Sequence, residues 1–194
     1  YHLGRWGDGS VRYYYMNDRD PNADNLTSQD IPNNRHRLYF SHLAEPYEDL
    51  TVRSQVRYQS DLNVNRDFFE GQYRNNPQPS TYVEINKFWD NFSLDAYAQP
   101  RINDFFETVE RLPDVRLTGY RQQILNTPFY YDSESSISWN RVFHSNATNG
   151  LYTADGPYAD AAGYYTDAAM RADTYHQVSS PWTFFRSLNV TPHV

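Results

Sequence analysis

The chain has 194 residues, with no Cys, 18 Tyr, 11 Phe and 4 Trp, and a formal net charge of -7 at pH 7. The lack of Cys excludes a disulfide scaffold or thiolate metal site within these residues, and the acidic balance argues against an electrostatic nucleic-acid binder. No apolar run approaches the ~20 residues of a membrane-spanning helix, and there is neither an initiator Met nor a signal peptide, which reads as a mature domain or a cut piece.

In chain order, residues 1–6 read as the end of a strand. Residues 11–16 form a ring-rich strand, and residues 35–43 another, with Leu38 and Phe40 on one face. The clearest alternation spans residues 50–59. Leu50, Val52, Ser54, Val56 and Tyr58 share one face, and Thr51, Arg53, Gln55, Arg57 and Gln59 the other, as a period of two requires. A short helical turn is expected over residues 64–69. Thr81, Val83 and Ile85 then alternate with Tyr82, Glu84 and Asn86. Phe92, Leu94, Ala96 and Ala98 alternate with Ser93, Asp95, Tyr97 and Gln99. Val115 and Leu117 alternate with Arg116 and Thr118. Residues 135–143 carry Ile137 and Trp139, residues 168–177 are small and polar, and Leu188 and Val190 mark a last strand. The expectation is an all-β chain of about ten strands, arranged as an up-and-down antiparallel sheet.

The connections alternate in length. Residues 7–10, 45–49, 89–91, 124–128 and 179–182 are short, whereas 17–34, 60–79, 100–113 and 144–167 are long and polar. In a meander this puts the tight turns at one end and the long loops at the other. Outer-membrane barrels are built that way, with short periplasmic turns and long extracellular loops. Apolar residues would face lipid and polar residues a wet lumen. Tyr13, Tyr14, Phe88, Trp89 and Trp182 are candidates for an interfacial aromatic girdle. Under this reading, residues 1–194 are one partial domain of a large transmembrane β-barrel.

Several segments resemble one family in order along the chain. Gly9-Ser10-Val11-Arg12-Tyr13-Tyr14-Tyr15-Met16 resembles a strand ending before an acidic loop, and Arg35-His36-Arg37-Leu38-Tyr39-Phe40-Ser41-His42 its returning strand. Tyr58-Gln59-Ser60-Asp61, followed by Arg66-Asp67-Phe68, resembles a "Ser-Asp … Asp-Phe" segment after a long strand. Leu112-Pro113-Asp114-Val115 and Leu188-Asn189-Val190-Thr191-Pro192 resemble two later strands. Together they resemble the barrel of the LptD family, the lipopolysaccharide-assembly outer-membrane proteins also called organic solvent tolerance proteins. The family motif residues here are Ser60, Asp61, Asp67 and Phe68. Family members carry a periplasmic jellyroll and about 26 strands, so the resemblance implies a fragment of the N-terminal half of the barrel. It further implies a bacterial outer-membrane location and delivery of lipopolysaccharide into the outer leaflet. The implied partners are lipopolysaccharide, an LptE-type lipoprotein plug and the periplasmic Lpt bridge. No cofactor is implied. The family's gate lies between its first and last strands, so no gate residue carries over.

No catalytic constellation stands out, and the chain is expected not to be an enzyme. The His residues show no zinc spacing, and neither a nucleophile elbow nor a P-loop occurs. Asp132 with Glu134, and Glu107 with Glu110, read as solvated charge ahead of glycosidase pairs. The Asp groups at 18, 20 and 24, and at 155 and 160, do not fit an EF-hand. Asn25, Asn91, Asn146 and Asn189 stand in Asn-x-Ser/Thr triplets that this composition produces by chance. Arg53, Arg57, Arg116 and Arg171 fall on polar faces, where they would line a lumen and meet phosphate, or pair with Glu84 and Asp95 on neighbouring strands. Two rival readings remain: another porin-like outer-membrane barrel, and a soluble secreted β-sandwich binding carbohydrate through exposed Tyr and Trp.

Overall fold

The computed structural model describes residues 1–21, 31–143 and 168–194. Eight strands form one antiparallel sheet in sequence order: β1 (Asp8–Asn17), β2 (Asn34–Tyr47), β3 (Leu50–Gln59), β4 (Tyr82–Trp89), β5 (Phe92–Gln99), β6 (Thr108–Gln123), β7 (Tyr130–Phe143) and β8 (Ala168–Ser179). The long connection after β3 carries two short helices, α1 (Val64–Phe68) and α2 (Glu70–Asn75). β9 (Trp182–Phe184) and β10 (Leu188–Val190) form a separate two-stranded hairpin.

The expected meander is present, with tight turns at one end. Tyr47 pairs with Leu50 and Trp89 with Phe92, and residues 124–129 join β6 to β7. The connections at the other end are the long ones.

Four expectations need correction. The sheet has eight strands rather than about ten; its two edges are β1 and β8, and no closed barrel is seen among the described residues. The last expected strand, around Leu188, pairs with β9 instead of the sheet, because only three residues are extended on each side. Residues 4–6 form a 3-10 turn, and only Tyr1 and His2 run against β1. The expected loop over 100–113 ends early, since β6 starts at Thr108. Pro113 sits where the β6–β7 register shifts between Arg111 and Asp114. A bulge leaves a residue outside the ladder, which is where a strand tolerates proline's missing N–H.

A short further pairing runs along each sheet edge. Tyr1 and Gly9 exchange backbone hydrogen bonds along β1. Val178 and Val194 do the same along β8. Gly7, in the turn leading into β1, has φ +99, and a Cβ there would lie 2.0 Å from the Leu43 carbonyl oxygen. Only glycine fits that conformation at that distance.

The register sorts the side chains into two faces. One row crosses the sheet as Ala44, Val52, Ile85, Ala96, Val115, Ile137 and Ala172. The opposite face has the row Arg53, Glu84, Tyr97, Asp114, Ser138 and Arg171. Apart from Ala44, which is buried, the apolar face is open among the described residues: Ile85 is 40% exposed, Ile137 48% and Met170 66%. Burial falls on the polar face instead. Among the described residues the buried apolar side chains are Ile31, Ala44, Val64 and Phe106, whereas Arg35, Arg37, Gln59, Asp61, Asn63, Asn65 and Asn103 are all buried. This inverts the usual pattern, in which buried charges are rare and need partners.

Candidate functional site

The loop carrying α1 and α2 folds back onto the polar face of β1–β3, and Arg35 is its anchor. Arg35 is the second residue of β2 and its side chain is 2% exposed. Its guanidinium forks onto Asp61, Nε to Oδ2 at 3.2 Å and Nη2 to Oδ1 at 2.9 Å. Nη2 also donates to Asp67 at 2.8 Å, and Nη1 to Asp18 at 3.2 Å. The Phe68 ring lies 4.8 Å below the guanidinium carbon. Three carboxylates from two connections, Asp18 after β1 and Asp61 and Asp67 after β3, thus meet one cation, and the rigid fork of Arg presents several donors in one plane. Arg66 Nε reaches Asp67 at 3.1 Å and offsets part of the excess negative charge.

Ser60, Asp61, Asp67 and Phe68 all belong to this knot. Ser60 Oγ accepts from the His36 amide at 3.0 Å and donates to Asp61 at 2.9 Å. Asp61 Oδ1 also caps the Asn63 amide at 2.9 Å, which turns the chain into α1. Asp67 and Phe68 are the polar and apolar contacts of Arg35 just described. The Asp-Phe spacing works because adjacent residues at the end of a single helical turn reach the same guanidinium from two sides.

A second layer uses neutral acceptors. Arg37 Nη1 donates to Asn65 at 2.9 Å and Gln72 at 3.0 Å. Asn65 Nδ2 donates to the Tyr39 hydroxyl and to Gln59 Oε1, both at 2.6 Å. Farther along, β4 has ended, and the edge of β3 would be bare above Gln55. Asn103 fills in for the missing strand: its Oδ1 accepts from the Gln59 amide at 3.1 Å, and its Nδ2 donates to the Arg57 carbonyl at 2.7 Å. Thr81 Oγ1 takes the Arg57 amide at 2.9 Å. One primary amide offers the same donor and acceptor as a peptide group, so it continues the ladder.

The four arginines singled out from the sequence share the polar face, but they do not form one site. Arg53 pairs with Glu84 at 3.1 Å, Arg116 with Glu134 at 3.5 Å, and Arg171 with Asp173 at 2.5 Å. Asp95 lies opposite Arg116 in register, yet Glu134 takes the ion pair. Arg57 meets no carboxylate among the described residues. It donates to the Phe40 and Val56 carbonyls, Ser41 and Gln55. Lower on the same face, Glu84, Asp95, Tyr97, Arg111, Asp114 and Arg116 line a groove of about 310 Å³. Such a surface, with charges of both signs and a ring, holds hydrated polar groups and offers no apolar seat.

Of the girdle candidates, Tyr13, Trp89 and Trp182 are exposed. Tyr14 is not a girdle residue. Its ring lies against Phe68 and Phe69 on the polar face, because it alternates with Tyr13 across β1. Phe88 is exposed but falls on the polar side, opposite Ser93. Asp18, offered as one of the loop acids, is instead held by Arg35. Asp24, Asp155, Asp160, Asn25 and Asn146 lie outside the described residues.

Sequence reasoning missed Arg35, Arg37, Asn65 and Asn103 as structural centres. A usable signal existed for the first two: cations two apart at the start of a strand share one face. No protein-family model, curated protein or solved structure matches the chain.

Proposed function

We propose that this chain forms part of the wall of a large outer-membrane β-barrel, and that the barrel carries lipopolysaccharide to the outer leaflet. One observation carries the membrane part: the apolar face of an eight-stranded sheet is open, while its polar face is the one that is packed. In water an open apolar face this wide is an aggregation hazard. Against hydrocarbon it is the ordinary outer surface of a barrel, and the polar face is the ordinary lumen. Strand length agrees. A membrane needs about 9–11 tilted residues per strand, and β1, β2, β3, β6, β7 and β8 have 10 to 16. Barrel closure would then use further strands beyond the two edges.

The loop knot on Arg35 also supports this reading, since it folds the long-loop end inward over the polar face. The lipopolysaccharide part rests on the resemblance of residues 9–16, 35–42, 58–61 and 66–68 to the LptD family. Under it, Arg53, Arg57, Arg116 and Arg171 face the path of the sugar chain. The partners are an LptE-type plug and the periplasmic bridge, and the work is positioning with no covalent step.

The porin-like reading shares the same sheet. The β-sandwich needs a second sheet over the apolar face, and among the described residues the only other sheet is the small β9–β10 hairpin. Fractionation tests the class. The full-length protein is expected to stay in the membrane after carbonate washing and to need detergent for release; extraction by carbonate alone rules out the barrel. Depletion tests the cargo. Loss of surface-exposed lipopolysaccharide is expected, and an unchanged surface lipopolysaccharide level in a membrane-integral protein would favour the porin-like reading.

A further inference from the structure

Two neighbouring connections at the tight-turn end expose large apolar side chains outside the eight-stranded sheet. The β9–β10 hairpin is amphipathic. Its register sets Phe184 opposite Leu188 and Trp182 opposite Val190, so these four share one face. Thr183 and Asn189 share the other, where their side chains are hydrogen-bonded at 2.7 Å. All six strand residues are exposed, so the hairpin projects from the molecule. Phe185, at its tip, is 92% exposed. The β6–β7 connection exposes Ile124, Phe129 and, at 85%, Leu125. The Ser180 hydroxyl donates to the Pro128 carbonyl at 3.2 Å and ties the two connections together.

Water gives this arrangement nothing. A hairpin this short is marginal on its own, and a contiguous exposed apolar patch marks an interaction surface. The backbone adds a second sign. Leu125 and Phe185 hold φ of 51° and 52°, in the left-handed region where glycine is favoured and a Cβ is strained. Strained turns therefore hold the two most outward apolar side chains of the pair.

Charge identifies the surface that covers them. Residues 120–131 and 179–194 contain Arg121 and Arg186 but no Asp or Glu, although the chain has 24 acids. The β2–β3 turn at the same end is the opposite, with Glu45, Glu48 and Asp49 close together. Arg186 follows Phe185 directly, and the Arg121 guanidinium lies 5.1 Å from the Tyr130 ring centre. Trp, Phe and Leu beside arginines, with acids excluded, match the chemistry of a bilayer interface. Rings sit among the headgroups there, apolar side chains reach the acyl boundary, and guanidinium groups meet phosphates. Anionic lipid strengthens that attraction. A projection also suits a fluid surface, which needs no groove to receive it.

We infer that the β9–β10 hairpin and the β6–β7 connection form a lobe that dips into an anionic phospholipid surface. Aromatic girdle residues ride on the strands of a wall, whereas this lobe lies beyond the strand ends. The inference does not need the barrel reading.

The test uses the full-length protein in vesicles of phosphatidylcholine alone and of an equal mixture with phosphatidylglycerol. An environment-sensitive fluorophore is placed on Phe185→Cys, on Leu125→Cys, on Glu48→Cys in the acidic turn of the same end, and on Ile137→Cys in the sheet. Brominated lipid should quench positions 185 and 125 several-fold more than position 48, and aqueous iodide should do the reverse. Quenching at 185 should rise with phosphatidylglycerol, and Arg186→Gln should lose most of that rise. Position 137 reports the barrel separately. Lipid quenching at 137 without quenching at 185 keeps the barrel and overturns the lobe; the converse keeps the lobe and overturns the barrel. A protein that carbonate releases is mixed with the same vesicles and read in the same way. The inference is also overturned if position 185 is shielded from both quenchers, which means that a protein covers it, or if phosphatidylglycerol adds nothing.

Discussion

Removing the Arg35 guanidinium would leave Asp18 and Asp61 without the cation that holds them, and Asp67 with Arg66 alone. Breaking one side of a buried ion pair costs about 3–5 kcal/mol. Arg35→Gln should therefore lower the urea midpoint of the detergent-solubilised protein far more than Arg53→Gln, whose partner stays hydrated. Exposed pairs contribute about 0–1 kcal/mol, and Arg53 is half-exposed. Asn103→Ala removes both stand-in bonds to β3 at once. A loss of about 1–3 kcal/mol is expected from the unpaired buried groups. Hydrogen exchange should report it locally, as faster exchange of the Gln59 amide with the amides of β7 unchanged. Gly7→Ala pushes a Cβ into the Leu43 carbonyl and forces a positive φ on a residue with a side chain. A destabilisation of about 1–3 kcal/mol is expected, read by the same unfolding curve.

At the scale of elements, the α1–α2 loop is tied down by charge rather than by apolar packing. Val64 is its one fully buried apolar side chain among the described residues. The loop should therefore be as ordered as the strands while Arg35 is present and be released without it. Trypsin offers a direct reading, because Arg66 and Arg74 lie on the two helices. Slow cleavage after both is expected in the wild type, and rapid cleavage in Arg35→Gln at a denaturant level that leaves the sheet intact. Equal rates would show that the helices hold themselves in place. The strands explain which boundaries were readable. β3 and β5 alternate without interruption and match the expected residues 50–59 and 92–99. β6 and β7 run longer than expected, since register shifts break the period of two at Arg111/Asp114 and Gly119/Gln122. A pattern that slips by one residue looks like a loop until its partner strand shows where the ladder resumes.

For the whole molecule, the decisive quantity is which solvent each face meets. The 194 residues contain no Cys, so single cysteines can be placed cleanly in this stretch. In vesicles, Ile85→Cys and Ile137→Cys should resist a water-soluble maleimide, and a fluorophore there should be quenched by brominated lipid. Asp95→Cys and Tyr97→Cys should show the reverse. Uniform labelling by the water-soluble reagent would exclude a bilayer against the apolar face. Low mean hydropathy of -0.86 fits this division. A wall exposes apolar residues on one side only, and its long loops and polar face are wet.

The sequence by itself determined the all-β class, the two faces and the sorting of short and long connections. Each of these depends on spacing between neighbours along the chain, where alternation is a local property. Tertiary structure decided the rest. Arg35 finds Asp61 26 residues away, Asn103 reaches Gln59 across 44, and the register sets Tyr39 between Arg12 and Arg57. No local period encodes those meetings. They follow from which loop folds back onto which strand, and the polar face became the packed one because its charges could be satisfied there.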